Sequence, residues 1–249
     1  GIFAEEKMVW LNDDEWHKKL SYMKNTLVTD CSAKNEEMKI ELKINDCVDC
    51  LKNVFLKKVT VKNNDVNPRK IKIFFHHDFH LYSDGIGDTA GYDPVSNSIF
   101  HYKRRRYFTI NAALENSKFA FGKGDISDYT VGIGDKQTLE DAHDGVLSKN
   151  PIAQGQVDSI FSVEIEVAAN SEKTVYYWIC CGKIFDEADE LNKFVISTTP
   201  EQLFMETRMC WEGLVNKCKI NFANLPENII NEFKKSILII RTQIDNRGG

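Results

Sequence analysis

A period-two alternation of apolar and polar residues recurs through most of the chain and constrains the fold most strongly. In MKIELKIN, residues 38–45, the apolar residues occupy positions 38, 40, 42 and 44, which share one face of a strand. This pattern is typical of a strand with one buried face. Similar patterns occur in FLKKVTVK, RKIKIFF, RYFTINA, SIFSVEIEV and KTVYYWICC. Turn-forming clusters such as NNDVNP and GKGDISD separate these segments, which predicts a mainly β, antiparallel sandwich over residues 1–198.

Composition is that of an ordinary globular protein. The chain has 249 residues, of which 28% are charged, and a net charge of -5. This charge gives no general attraction to nucleic acid or to an anionic membrane, and no apolar run reaches the ~20 residues that cross a bilayer. The seven cysteines lack the spacing of a disulfide framework and there is no glycosylation sequon, which together favour a reducing, cytoplasmic location.

After Cys181 the periodicity becomes helical. EADELNKFV is a short helical segment, and Thr199 followed by proline and, two residues later, Gln202 forms a capping box that opens a helix to about Cys218. The inward stripe of this helix is expected at positions 203, 207, 211, 214 and 218. Pro226 opens another helix, to about Asp245. We therefore expect a helical linker at 199–225 and a separate helical unit beginning at 226–249.

The last helix is apolar around most of its circumference, and a helix of this kind needs to be covered. Either the sandwich and the preceding helix cover it, or a second copy of the chain does, or a helical domain that follows does. We expect Ile237, Leu238 and Ile240 to remain uncovered in the chain as given and to cause self-association.

The segment FFHHDFHLYSDGIGDTAGYDP, residues 74–94, concentrates histidine, aspartate and glycine. Strand alternation places His76, Asp78 and His80 on one face, with the two histidines ~13 Å apart, which is too far for easy shared metal binding. Polar contacts or an interdomain face are therefore the favoured interpretation. GIGDTAG resembles a phosphate-binding loop, but turn residues follow it and no helix begins there, so a tight connection is predicted.

Other motifs favour structural roles. HYKRRRYF contains four consecutive cations, Lys103 to Arg106, which we expect at the exposed tip of a β-hairpin and which are a weak signal for nucleic acid in an acidic chain. Cys47 and Cys50 have no second pair at zinc-ribbon spacing, and Cys180 with Cys181 ends an apolar strand, so buried inert thiols are expected. There is no nucleophile elbow, and the sequence does not single out an acid and base pair.

Several longer segments carry a resemblance to a known family. In order, these are GDTAGYDP, HYK, NPIAQGQVDS, TVYYWICCGKIFDEADELN, ETRMCWEGLV and SILIIRTQIDNRGG. The chain resembles, over nearly its whole length, the N-terminal part of prokaryotic and archaeal glucoamylases and glucodextranases of glycoside hydrolase family 15. GIFAEEKMVWL also looks like an early strand of that domain. The pair Arg104 and Arg105 departs from the family, which usually has small residues in this turn.

The resemblance implies a β-supersandwich, a linker helix containing Trp211 and the first helix of an (α/α)6 catalytic barrel near Pro226. In such enzymes two carboxyl groups roughly 6.5 to 9.5 Å apart hydrolyse terminal α-glucosidic bonds with inversion. Both are expected beyond Gly249, so no catalytic residue is assigned and this chain alone is expected to be inactive. Its implied partners are its own barrel and, for the parent enzyme, an α-glucan or maltooligosaccharide, with no cofactor, nucleic acid or membrane.

Two alternatives remain open. A stand-alone carbohydrate-binding or structural module could use exposed aromatics such as Tyr92, Tyr102 and Tyr107. A small metallo-hydrolase would use His76 and Asp78. The residues that we nominate as structural or interdomain candidates are His76, Asp78, His80, Asp88, Tyr92, Asp93, Trp211, Arg241 and Asp245.

Overall fold

A computed structural model describes residues 1–84, 86–134, 137–217 and 220–244. In this part of the chain, fourteen strands form two antiparallel sheets, and the long helices follow them at the C-terminal end. The expected fold class, a mainly β antiparallel sandwich followed by helices, is confirmed.

The strands and helices have the following bounds. The strands are β1 (Ile2–Ala4), β2 (Lys7–Val9), β3 (His17–Tyr22), β4 (Thr29–Asn35), β5 (Ile40–Val48), β6 (Val54–Asn63), β7 (Arg69–His77), β8 (Asp88–Asp93), β9 (Ser98–Lys103), β10 (Arg106–Leu114), β11 (Asp128–Ile133), β12 (Ile152–Gly155), β13 (Val157–Val167) and β14 (Glu172–Gly182). The helices are α1 (Gln137–Asp141), α2 (Phe185–Thr198), α3 (Pro200–Lys217) and α4 (Glu227–Thr242).

The two sheets differ in size. Within the described residues, the smaller has five strands in the order β11-β13-β7-β1-β2, and the larger has nine in the order β12-β8-β9-β10-β14-β6-β5-β4-β3. The longest pairings are β7 with β13, β14 with β6 and β5 with β6, and in each the register runs without a break over nine residue pairs. Because the inward side chains alternate with outward ones, this register places the apolar residues of both sheets in one layer between them.

The core between the sheets is built from the alternating residues that the sequence predicts. Ile40 and Leu42 of β5 and Ile71 and Ile73 of β7 are buried there, while neighbours such as Glu41 and Lys72 remain partly accessible on the outer faces. The apolar core therefore follows from the period-two pattern.

The larger sheet is also covered on its outer face. Trp178 is completely buried there, and its indole Nε1 donates to Asn192 Oδ1 of α2 at 2.8 Å. Leu203 and Phe204 of α3 pack into the same cluster. The outward residues of β14 are apolar for this reason, and they attach both helices to the sheet.

The helix boundaries agree with the capping signals. α3 begins at Pro200, and Thr199 Oγ1 accepts from the backbone N of Gln202 at 3.3 Å, which is one of the two hydrogen bonds of a capping box. The Gln202 side chain donates instead to Glu206 Oε1 at 2.7 Å. α4 begins immediately after Pro226. On α3, Leu203 and Thr207 are buried, positions 211 and 214 are half-buried, and Cys218 lies outside the described residues. Of the helices described, none is long and apolar enough to cross a membrane.

Arg69 joins the two sheets. It begins β7 in the smaller sheet. Its guanidinium donates to Asn63 Oδ1 at 3.0 and 2.8 Å and to the carbonyl of Met38 at 2.8 Å. In the larger sheet, Asn63 is the last residue of β6 and Met38 lies just before β5. Arg69 and Asn63 are buried. These hydrogen bonds fix the position of one sheet relative to the other, because they link β7 to residues of the larger sheet. Removing the guanidinium would leave the buried acceptors without donors.

Replacing Arg69 with methionine should lower the free energy of unfolding by about 2–4 kcal/mol, because buried acceptors lose their donors. Urea denaturation measures the change. The matched control is Lys70→Met on the exposed face of the same strand, which should change stability by less than about 0.5 kcal/mol. Equal effects from the two substitutions would contradict the cross-sheet role of Arg69.

Candidate functional site

β7 ends at His77, inside the segment that the sequence singles out. His77 is buried between the sheets, whereas His76 lies on the outer face. Asp78 and His80 follow the end of the strand, so the prediction that they continue its outer face is wrong. The physical reason is a turn, because the backbone takes positive φ at His80 and at two of the next three residues. His80 Nε2 instead contacts Asp78 Oδ1 at 3.1 Å.

His77, His101, Ser159 and Tyr177 form a buried hydrogen-bonded group between the sheets, which we call the histidine cluster. Ser159 Oγ lies 2.7 Å from Nε2 of His101 and 3.2 Å from Nδ1 of His77. The other ring nitrogen of His77 lies 2.9 Å from the hydroxyl of Tyr177. Since a neutral imidazole has one donor and one acceptor nitrogen, His77 donates in one of its two hydrogen bonds and accepts in the other.

Both histidines of the cluster are neutral. Burial lowers the pKa of His101 to about 3, and burial together with the neighbouring His101 holds the pKa of His77 well below its usual range. The rings of Phe79 and Phe161 pack against His77 at centroid distances of 5.8 and 5.5 Å. The cluster is therefore a packed, uncharged contact between the sheets.

His76 on the outer face contacts a buried carboxylate. Its Nε2 lies 3.2 Å from Asp158 Oδ2, which also accepts from the backbone N and the hydroxyl of Thr138 at 3.0 and 2.7 Å. Burial alone would raise the pKa of Asp158, but the hydrogen bonds from His76 and Thr138 outweigh it and lower the pKa. This group holds α1 against β13. Across the described ranges, no set of three histidine, cysteine, aspartate or glutamate side chains is placed to bind a metal ion.

Asp88 belongs to a buried ion-pair group. The ammonium of Lys103 contacts the carboxylate of Asp84, donates to the backbone carbonyl of the same residue at 3.1 Å, and lies 3.3 Å from Asp88 Oδ1. Asp88 Oδ2 accepts from the backbone N of Leu81 at 3.2 Å.

Lys103 is only 5% exposed, so the prediction that all four cations of HYKRRRYF lie at an exposed tip is wrong for Lys103. The hairpin itself is confirmed, with Lys103 opposite Arg106.

Tyr92 and Asp93 lie in β8 and not in a turn, which begins after them. The Tyr92 ring stacks on Tyr129 at 3.7 Å, and its hydroxyl donates to Asn97 Oδ1 at 2.7 Å. Asp93 accepts from the backbone N of Val95 at 2.9 Å and so supports the turn to β9. No helix opens after the GIGDTAG segment, as expected, because β8 starts at Asp88.

The remaining candidates lie on the helices. Trp211 is half-buried and packs against the cluster that joins α3 to the larger sheet. Arg241 is half-buried near the end of α4, where its guanidinium donates to the carbonyl of Ile244 at 3.3 Å. Asp245 lies outside the described residues.

One side of α4 packs against the sandwich. Leu238 is 1% exposed and faces the turn between β3 and β4. Lys24 in this turn lies 2.7 Å from Glu227, and Lys235 lies over the ring of Tyr22. The expectation that Leu238 remains uncovered is therefore wrong, because the helix presents this residue to the hairpin.

The other side of α4 carries a continuous exposed apolar surface. Ile229, Phe233, Ile240 and Ile244, which we call the α4 stripe, are 44–61% exposed. At 3.6 residues per turn, Ile229, Phe233 and Ile240 fall within an arc of about 40° on the helix, and Ile244 follows two residues after its end. Isolated exposed apolar residues are common, but a stripe aligned along a whole helix is typical of an interaction surface.

Comparisons with known proteins place the fold. No family model matches the sequence, and no curated protein matches it either. Among solved structures, the chain is similar to a bacterial glucoamylase complexed with acarbose, with 13% identity and a TM-score of 0.62 over 82% of this chain and 29% of that one. It is also similar to a putative kojibiose phosphorylase from the human microbiome, with 13% identity and a TM-score of 0.54 over 86% of this chain and 27% of that one.

These structural similarities establish the fold alone, which matches the N-terminal β-sandwich domain of glucoamylase-like enzymes. The chain spans less than a third of the length of either structure. Membership of glycoside hydrolase family 15 in particular stays a prediction.

Sequence reasoning did not identify the histidine cluster. His101 and Ser159 are separated by 58 residues, and only the packing of the two sheets, which carry β9 and β13, brings them together. A signal was nevertheless present, because both are polar residues at inward positions of otherwise apolar strands. Such positions predict buried hydrogen-bond partners.

Replacing Ser159 with alanine should lower the free energy of unfolding by about 1–3 kcal/mol, because a buried nitrogen on each histidine loses its partner. The matched control is Ser162→Ala on the same strand. Ser162 is equally buried, but its hydroxyl has no hydrogen-bond partner, so its loss should be close to neutral. Urea denaturation of both variants tests the cluster, and a larger loss from Ser162→Ala would contradict it.

Stability should also fall as the pH is lowered from about 7 to about 5. The folded pKa of each cluster histidine lies below the ordinary value of 6.5, so the unfolded chain takes up protons in this range and the folded chain does not. His101 should therefore remove about 2 kcal/mol of stability over this interval, and His77 should act in the same direction. Urea denaturation at several pH values should show a shallower dependence in His101→Gln, and an unchanged dependence would argue against neutral burial of His101.

Proposed function

We propose that the chain is a non-catalytic domain of a glucoamylase-like glycoside hydrolase and that it positions the helical catalytic domain of its parent. The α4 stripe is the observation that supports this proposal most directly. It is an apolar helix surface at the end of a β-sandwich whose fold occurs in such enzymes.

The stripe is large enough to contribute to domain docking. A fully buried isoleucine or phenylalanine side chain contributes roughly 1.5–3 kcal/mol relative to an exposed one. The four stripe residues are about half exposed, so covering them would contribute on the order of 4 kcal/mol before the entropy cost of association. A neighbouring helix that presents its own apolar ridge is the natural cover.

The polar groups of the sandwich favour a supporting role. The buried carboxylates Asp88 and Asp158 and the buried Lys103 are held by fixed partners inside the domain. In an inverting glycosidase, one carboxyl group must protonate the leaving oxygen and the other must activate water. We assign both to the helical domain of the parent, whose substrate would be an α-glucan or maltooligosaccharide in the cytoplasm.

A second candidate function is sugar binding by the sandwich itself. Tyr102 and Tyr107 stand opposite each other on the outer face of the larger sheet with parallel rings 4.9 Å apart, and Phe100 lies beside them over Gly91. Aromatic rings on a flat sheet can stack on sugar rings. Tyr92 is less suited, because Tyr129 covers its ring. Calorimetric titration with maltooligosaccharides separates the two functions, and saturable binding by this chain would favour the module.

The docking proposal predicts that the chain self-associates through the α4 stripe, since its residues stay 44–61% exposed although Phe222 packs against Phe233. Substituting Ile229→Lys and Ile240→Lys together should shift the protein to the monomer in sedimentation velocity, because charged side chains on the stripe oppose its burial. The matched control is Asn228→Lys, which adds a lysine away from the stripe and should leave association unchanged.

Two results would contradict the proposal. One is self-association that persists unchanged in the double lysine variant. The other is release of glucose from maltooligosaccharides by the purified chain. To exclude a contaminating enzyme, this release must be lost in a mutated chain that is purified in the same way. Such a result would place catalysis in the sandwich itself.

A further inference from the structure

Two cysteines that are distant in sequence meet where α3 crosses the turn between β5 and β6. Cys50 lies in this turn and is half-buried, whereas Cys210 lies on α3 and is exposed. The sequence predicted a buried, inert thiol at Cys50, and its partial exposure on a helix-contacting turn differs from that expectation.

Several contacts hold the turn and the helix together. Cys50 Sγ lies 3.9 Å from the backbone carbonyl of Thr207, and the hydroxyl of Thr207 lies 3.4 Å from Asp49 Oδ2. Cys210 is three residues further along α3, on the same side of the helix. The side chain of Cys210 therefore lies near the carbonyl that Cys50 Sγ contacts.

We propose that Cys50 and Cys210 are a modification site, at which a disulfide bond forms under oxidising conditions and fixes α3 to the β5–β6 turn. This inference does not depend on the proposed function. Cys50 Sγ lies against the turn of α3 that carries Cys210, so we expect the bond to form by side-chain rotation with little backbone movement.

A low-molecular-weight disulfide such as glutathione disulfide supplies the oxidant. Cys210 is the accessible thiol, so its thiolate attacks first, forming a mixed disulfide and releasing one glutathione. The Cys50 thiolate then attacks Sγ of Cys210, and the second glutathione leaves and takes up a proton. Two protein thiols and one glutathione disulfide thus give one protein disulfide and two molecules of glutathione.

The second step should depend on pH. Burial, together with the neighbouring Cys210, raises the pKa of the Cys50 thiol, so only a small fraction is thiolate near neutrality. Bond closure should therefore accelerate by close to tenfold for each unit of rising pH around neutrality.

The other described cysteines are poor competitors. Cys47 and Cys180 are buried, and Cys31 and Cys181 are half-buried, so each is less accessible than Cys210 to glutathione disulfide in the first step. The site is therefore expected to be selective for the pair Cys50 and Cys210.

The test is oxidation of the intact chain with glutathione disulfide, followed by tryptic digestion without reduction. The expected product joins the peptides INDCVDCLK, residues 44–52, and MCWEGLVNK, residues 209–217, with the loss of two hydrogen atoms. Because Cys47 shares the first peptide, Cys47→Ser is the matched control and should retain the link. Cys50→Ser and Cys210→Ser should each abolish it.

The oxidised chain should also melt on the order of 5 °C higher than the reduced chain, and a reducing agent should reverse the shift. Glutathione that remains on Cys210 with no internal link, or a link between two separate chains instead of within one, would overturn the proposal. A link that persists in Cys50→Ser but not in Cys47→Ser would equally overturn it, because the bond would then involve Cys47.

Discussion

The larger sheet has apolar side chains on both faces, and the rest of the structure depends on covering both. On β14, Tyr177 faces the smaller sheet while Trp178 faces the helices. The smaller sheet covers one face and α2 and α3 cover the other, so the molecule has three layers. A sheet of this kind cannot stand alone, because water on either side would contact apolar residues. The position of the C-terminal helices is therefore a consequence of β14.

Polar groups in the core determine how the layers are oriented. Apolar packing alone tolerates sliding of one sheet over the other, whereas hydrogen bonds require fixed positions. Arg69 fixes one part of the sandwich and the histidine cluster fixes another, each by linking residues of both sheets. On the outer side, Asn192 has the same role for α2. These buried polar contacts specify one arrangement among several that would bury similar apolar area.

Much of the fold could be predicted from local pattern, and the parts that could not depend on long-range pairing. The alternation in β5 and the capping residue Thr199 are local, so strand and helix positions followed directly. Lys103 is buried because its ammonium contacts Asp84 and Asp88, which lie 19 and 15 positions earlier in the chain, and no local pattern predicts these contacts. Likewise, the side of α4 that packs against the sandwich is set by the β3–β4 turn, so Leu238 could not be distinguished from Ile240 in sequence.

The contact between Gly91 and Phe100 has a consequence for how related sequences can vary. Phe100 occupies the space that a side chain at position 91 would need, on the outer face of two paired strands. Its ring lies close to those of Tyr102 and Phe185, so displacing it would disturb both. The two positions are therefore linked in evolution: a lineage that acquires a larger residue at 91 should also have lost the aromatic residue at 100, and each change is expected to be disfavoured without the other.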